Sequence, residues 1–207
     1  EVVGLGGKYY DKGEERELTD ILKSYGVNYI RLRLWLNPYT QEGASYGAGA
    51  NDLNTTLRMI KRVKAAGFKY LLDFHYSDFW TDPGKQIKPK IWKDYGPAEL
   101  EVALYEYTKE TLLGLKAEGC LPDMVQVGNE ITNGILWPEG QVSEFEQLTR
   151  FISAGIRGVR KVSRDIPVML HLDQGNKHKL YQEWFDNYKE LGGEEFDIIG
   201  LSYYPVW

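Results

Sequence analysis

Hydrophobic and polar positions follow two periods along this chain, and the two alternate. Stretches with apolar residues three and four apart are stopped by glycine, and each is followed by a short β-branched or apolar run. Leu18, Ile21, Leu22 and Tyr25 share one face of a predicted helix over residues 14–25, with Gly26 as its stop. A strand over 27–36 follows and ends at Asn37-Pro38. The unit recurs as helix 53–66, stopped by Gly67, with strand 70–75. It recurs again as helix 97–118, with Pro97 in its first turn and Gly119 behind it, and strand 124–127. Ser143 and Glu146 have capping-box spacing and predict a helix running to Ser163, then a strand over 167–172. The last pair is a helix over 177–191, whose Tyr181, Trp184, Phe185 and Tyr188 fall at core spacing, and a strand over 196–204.

Alternating helices and doubly apolar strands mean a parallel sheet with right-handed crossovers. An open doubly wound sheet and a closed barrel both satisfy that rule. No GxGxxG follows a strand and no phosphate loop occurs, which counts against the nucleotide-binding version. Polar residues gather just after the strands, around His75, Glu130 and Asp173, where barrels carry their active sites. The expected fold is α/β, a (β/α)8 TIM barrel, and an incomplete one, because five strands are found where a closed barrel has eight. Residues 1–207 read as one partial catalytic domain. A loop-like opening from Glu1, and a stop at Trp207 beside an apolar strand, lead to the expectation of a fragment.

Composition narrows the function. A chain of 207 residues with 43% hydrophobic content buries one sizeable core. A net charge of −5 argues against nucleic acid or an anionic membrane surface as partner, and no apolar run approaches a membrane span. The 1 cysteine, Cys120, excludes an intrachain disulfide and reads as a buried structural thiol. The 3 histidines show no HExxH-like spacing, so neither a metal nor another cofactor is expected; any calcium site would lie in parts of the barrel outside this chain.

The sharpest local signal is Val125-Gln-Val-Gly-Asn-Glu-Ile131. Strand alternation puts Gln126, Gly128 and Glu130 on the inward face. A carboxyl at such a rim is partly desolvated, which favours the protonated form a general acid needs; capping a helix or pairing with arginine are its structural alternatives. Arg31 and Arg33 alternate with leucines on an earlier strand, and one of the two is expected to pair with Asp73. His75 shares the parity of Asp73, and His171 with Asp173 repeats it. Tyr76, Phe79, Trp80, Trp92 and Trp137 lie in loops, where exposed aromatic faces stack on sugar rings and burial is the competing use.

Arg31-Leu-Arg-Leu-Trp-Leu-Asn-Pro38, Asp73-Phe-His-Tyr-Ser-Asp-Phe-Trp80, Gln126-Val-Gly-Asn-Glu-Ile-Thr-Asn-Gly134 and Ser202-Tyr-Tyr-Pro205 together resemble glycoside hydrolase family 53, the arabinogalactan endo-β-1,4-galactanases. Lys8-Tyr9-Tyr10-Asp11 resembles the loop after that family's first strand. The resemblance implies a retaining hydrolase in which Glu130 is the acid/base and Asn129 binds the sugar 2-hydroxyl. Arg33 or Arg31, His75 and Tyr204 match residues that orient the carboxylates, and Asp78, Trp80 and Trp137 match cleft residues. His171, Asp173 and Tyr203 join them as substrate-binding candidates. The chain then holds barrel strands two to six, and the nucleophile after strand seven is not in it. A β-1,4-galactan partner, a monomer and a secreted, cell-surface or periplasmic location are the further expectations. An endo-glucanase or mannanase, a non-catalytic sugar-binding barrel and a barrel enzyme of phosphorylated metabolites are the alternatives.

Overall fold

The computed structural model describes residues 2–45 and 50–205; Glu1 and Trp207, the two ends noted above, lie outside the described residues. A 3-10 turn at Val3–Leu5 is followed by a two-stranded antiparallel hairpin, β1 (Tyr10–Asp11) and β2 (Glu14–Glu15). The rest is a repeated helix–strand unit: α1 (Leu18–Ser24), β3 (Tyr29–Leu34), α2 (Leu53–Ala65), β4 (Lys69–Phe74), α3 (Pro97–Ala117), β5 (Met124–Val127), α4 (Phe145–Val162), β6 (Val168–Leu172), α5 (His178–Glu190) and β7 (Ile198–Leu201). The five later strands form one parallel sheet in sequence order, β3-β4-β5-β6-β7. Each crossover therefore joins adjacent strands, as in one arc of a β/α barrel.

Local chemistry sets the element ends. Asp52 accepts a hydrogen bond from the Thr55 N–H at 2.7 Å and starts α2. Pro97 occupies the first turn of α3, and Glu99 reaches back to the Gly96 N–H at 2.9 Å. Two expectations fail. The first predicted helix begins four residues late, because Lys12 and Gly13, both at positive φ, turn the chain so that Glu14–Glu15 pairs with Tyr10–Asp11. Ser143 does not cap α4: Val142–Glu144 is a 3-10 turn, the helix starts at Phe145, and Glu146 pairs instead with Arg150 at 2.6 Å. Packing decides this start, since Phe145 sits edge-on against Trp184 with ring centroids 5.3 Å apart.

One face of the sheet carries the core. Leu32 and Leu34, Leu72 and Phe74, Val125 and Val127, and Val168, Leu170 and Leu172 are buried with Ile60, Leu104, Leu112, Phe151, Ile152 and Trp184 of the helices. α3 and α4 cross closely at Gly158, where a Cβ would stand 2.9 Å from Thr108 Cβ and 2.9 Å from the Tyr105 carbonyl. Cys120 is a buried free thiol. Tyr76 and Trp92, two of the loop aromatics, are buried in this core, so the competing use holds for both. The opposite parity, on the other face, begins with Leu71, Met124 and Met169 and turns polar toward the C-terminal ends of the strands, at Arg33, Asp73, Gln126 and His171.

Candidate active site

The polar face is built from residues of one parity on successive strands, with Arg33, Asp73 and Gln126 in register and Arg31 one step below. Arg31 of β3 forms an ion pair with Asp73 of β4 at 2.8 Å, and Asp73 is fully buried. Arg31 also donates to Gln126 Oε1 at 3.0 Å and to Asn129 Oδ1 at 2.7 Å, tying three strands together. Gln126 donates to the other Asp73 oxygen at 2.8 Å. Burial pushes the Asp73 carboxyl up, but His75 and Arg31 outweigh it and hold the group below its ordinary value.

His75 is buried and fixed at both nitrogens. The Thr81 N–H, which can only donate, points at Nδ1 from 3.0 Å, so Nδ1 accepts and the Nε2–H donates to Asp73 at 2.9 Å. The Thr81 carbonyl accepts from Asn129 Nδ2 at 2.7 Å. The Asn129 amide is thus held from two sides, with one amide hydrogen left over for a ligand.

Glu130 follows directly, half-buried. The chain leaves β5 through Gly128 at φ 80°, where a Cβ would meet Ile131 Cγ2 at 2.4 Å, and Glu130 itself stands at φ 48°. A non-glycine residue in that left-handed region costs about 1–2 kcal/mol. Tyr76 after β4 and Gln174 after β6 also stand at positive φ, so the strain sits at the exits of three neighbouring strands. Gln86 clamps the step, its amide nitrogen donating to the Asn129 carbonyl at 2.8 Å and the Glu130 carbonyl at 3.3 Å. The Glu130 carboxyl accepts from the Ser202 hydroxyl at 2.5 Å.

His171, reached from β6, lies under Glu130. Its Nε2 is 3.1 Å from Ser202 Oγ, and its Nδ1 is 3.3 Å from the Glu130 N–H. Burial, with Arg31 nearby, pushes it down to about 4, so it stays uncharged at neutral pH. Glu130, Asp173, Gln174, Asn176, Ser202, Tyr204 and Pro83 line an open recess of about 380 Å³. Thr132 and Asp173 exchange hydrogen bonds, the Thr132 hydroxyl to the carboxylate and the Asp173 N–H back to Thr132 at 3.1 Å.

The remaining candidates take distinct places. Arg33 lies over the Trp80 ring at 4.5 Å and 5.7 Å from the Trp35 ring centre, and burial lowers its pKa. Trp80 keeps 37% of its surface open. Trp137 is half-buried and gives its Nε1–H to the Asn133 carbonyl at 3.1 Å. Asp78 serves the loops: its buried carboxylate accepts the N–H groups of Asn37 and Lys90. Tyr203 and Tyr204 are exposed, and only Tyr204 lines the recess. Glu130, Asn129, Arg31, His75 and His171 therefore form one bonded network, Arg33 and Trp80 flank it, and Asp78 and Tyr203 stand apart. Sequence reasoning did not single out Ser202, Thr81 or Gln86. Ser202 shares the parity of Gly200 and sits in a quoted motif, which was a readable signal; Thr81 acts through its peptide groups and hydroxyl, and Gln86 through a side-chain amide that meets backbone carbonyls, and neither lies at a patterned position. Among the described residues no group of three or more His, Cys, Asp or Glu is placed to hold a metal ion.

A parallel β/α sheet with a half-buried carboxyl, an adjacent amide and a cation-bound floor at its C-terminal rim is the arrangement of an α/β glycoside hydrolase. The chain belongs to glycosyl hydrolase family 53, whose model matches residues 2–207. It is 37% identical over 202 residues to the endo-beta-1,4-galactanase of Bacillus subtilis, covering 96% of this chain and 45% of that protein. It is 38% identical to the arabinogalactan endo-beta-1,4-galactanase of Cellvibrio japonicus, covering 100% of this chain and 55% of that one. The catalytic domain of a family 53 enzyme from Ignisphaera aggregans superposes with a TM-score of 0.94 at 45% identity, over 100% of this chain and 57% of that one. The chain thus spans about half the length of the relatives it matches.

Proposed function

We propose that this chain carries the acid/base half of the active site of a retaining endo-β-1,4-galactanase, acting on (arabino)galactan such as the side chains of pectin. The observation that supports the reading best is the setting of Glu130: half-buried at the strand rim, hydrogen-bonded through one oxygen, and opening onto the recess. In the first step the protonated carboxyl gives its proton to the glycosidic oxygen while a second carboxylate attacks the anomeric carbon, and the C–O bond electrons leave with the protonated oxygen. In the second step Glu130 removes a proton from the water that displaces the enzyme from the sugar.

That second carboxylate, which the resemblance implies after the seventh barrel strand, would lie in the part of the relatives' length that residues 1–207 do not span. Closure of the five strands into an eight-stranded barrel is part of the same proposal. Asn129 would offer its remaining amide hydrogen to the 2-hydroxyl beside the reacting carbon, and the open face of Trp80 would stack on a sugar ring. A polymeric substrate does not cross membranes, so the enzyme would be secreted, held at the cell surface or periplasmic; a monomer is the further part of this reading.

The test is release of reducing ends from β-1,4-galactan by the enzyme with its complete barrel. General acid–base assistance is worth roughly 10²–10⁴-fold, so Glu130→Gln should lose at least a hundredfold in rate. Activity within tenfold of the parent would remove Glu130 from the role. Faster cleavage of β-1,4-glucan or mannan would replace the substrate assignment.

A further inference from the structure

A general acid must present its proton on the carboxyl oxygen that faces the leaving group, so the other oxygen of Glu130 needs a fixed partner. We propose that Ser202 is the positioning residue of Glu130, holding its Oε1 in both protonation states so that Oε2 carries the transferable proton. The inference rests on the glycosidase reading above.

The Ser202 hydroxyl has one hydrogen, and it is directed at Glu130 Oε1 from 2.5 Å. An ionised carboxylate accepts that bond, and so does the carbonyl oxygen of a carboxyl protonated on its other atom. With that hydrogen committed, the contact between Ser202 Oγ and His171 Nε2 at 3.1 Å requires the imidazole to donate. His171 then carries its proton on Nε2 and accepts at Nδ1, where the Glu130 N–H points from 3.3 Å and the Gln126 amide stands at 3.4 Å. Asn129 Oδ1, 3.1 Å from Nδ1, receives no proton from His171 in this tautomer and is satisfied by Arg31 instead. The histidine–serine pair therefore grips Glu130 twice, by its backbone and by its carboxyl.

The grip is rigid because the Ser202 backbone is fixed. Its N–H donates to the Leu172 carbonyl at 3.0 Å, and its own carbonyl accepts from the Gly175 N–H at 2.8 Å. Two glycines allow this approach. A Cβ at Gly200 would meet Met169 Sδ at 2.6 Å and His171 Cδ2 at 3.2 Å, and one at Gly175 would meet Leu201 Cδ1 at 2.6 Å and the Ser202 carbonyl at 3.0 Å. His171 stays uncharged at neutral pH, so it orients the serine without placing a positive charge beside the acid.

A positioning role is separable from a structural one through the leaving group. Cleavage of galactan expels a sugar alkoxide that must be protonated, whereas a 2,4-dinitrophenyl β-galactobioside expels a phenolate that needs no proton. In the complete enzyme, Ser202→Ala should lower kcat/KM on galactan about 10–100-fold, part of the general-acid contribution, and change kcat/KM on the aryl substrate less than threefold. Ser202→Thr, which keeps the hydroxyl, should recover most of the galactan activity, and its isostere Ser202→Val should not. That pair isolates the hydroxyl even if the alanine variant folds poorly. Equal losses on both substrates, or equal activities of the Thr and Val variants on galactan, overturn the inference alone. Failure of the parent enzyme on both substrates overturns the glycosidase reading and this inference with it.

Discussion

Replacing Arg31 with alanine removes the counter-charge of a carboxylate that has no contact with solvent. Asp73 is fully buried, and its partners are Arg31 at 2.8 Å, the His75 imidazole at 2.9 Å and the Gln126 amide at 2.8 Å. The substitution leaves the two neutral donors and takes away the cation. Breaking a fully buried ion pair costs about 3–5 kcal/mol, and an exposed pair is worth about 0–1 kcal/mol. Here one end is buried and the other keeps 38% of its side-chain surface exposed, so solvent screens part of the attraction. The expected loss is about 2–3 kcal/mol, between those limits. For a chain of this size that is a fall in Tm of roughly 4–12 °C.

The pH dependence gives the sharper check. Burial pushes Asp73 up, but His75 and Arg31 hold it below its ordinary value, so its stabilisation is present above the unfolded-state value of about 3.9. It is lost as pH falls through the folded-state value. The difference between parent and Arg31→Ala should therefore be widest near neutral pH and shrink toward pH 3. Urea denaturation followed by tryptophan fluorescence, at several pH values, measures it. A penalty that stays constant down to pH 3, or one below about 0.5 kcal/mol at pH 7, would refute an electrostatic origin.

Two further substitutions bear on the packing and on the cleft. Gly158→Val forces a branched side chain into Thr108 and the Tyr105 carbonyl, and overpacking of this kind costs about 1–3 kcal/mol, seen as a lower urea midpoint at unchanged slope; a midpoint at or above the parent's would mean that α3 and α4 separate freely. On the proposed function, Trp80→Ala in the complete enzyme should raise KM for galactan about five- to fiftyfold through lost stacking while kcat changes less, because a ring contact made equally in ground and transition states affects binding alone.

The periodicity of the chain made the helix–strand order legible, because burial on both faces of a parallel strand leaves a continuous apolar run that glycine punctuates. The family motifs point to one bonded cluster: Asn129, Glu130 and His75 follow strand ends, and Arg31 reaches them from within β3. Elements whose ends depend on tertiary contacts were less legible. Residues 14–15 carry no strand signal and are drawn from the first helix by the turn at Lys12-Gly13. Ser143 has the spacing of a cap, yet the packing of Phe145 on Trp184 starts α4 beyond it. Within the site, Thr81 orients His75 and Asn129 through its peptide N–H and carbonyl. Every residue but proline supplies those groups, and only the hydroxyl contact to His75 Nδ1 at 2.9 Å is particular to Thr81, so composition could not mark it.

The left-handed backbone at Glu130 bears on how such a protein would respond to improvement. The conformation favours glycine, and glycine there would relieve local strain and remove the acid in one change. Selection for heat tolerance alone would thus press against turnover at this one position. Variants selected for stability without an activity screen are expected to admit glycine at Glu130 and to lose the acid with it.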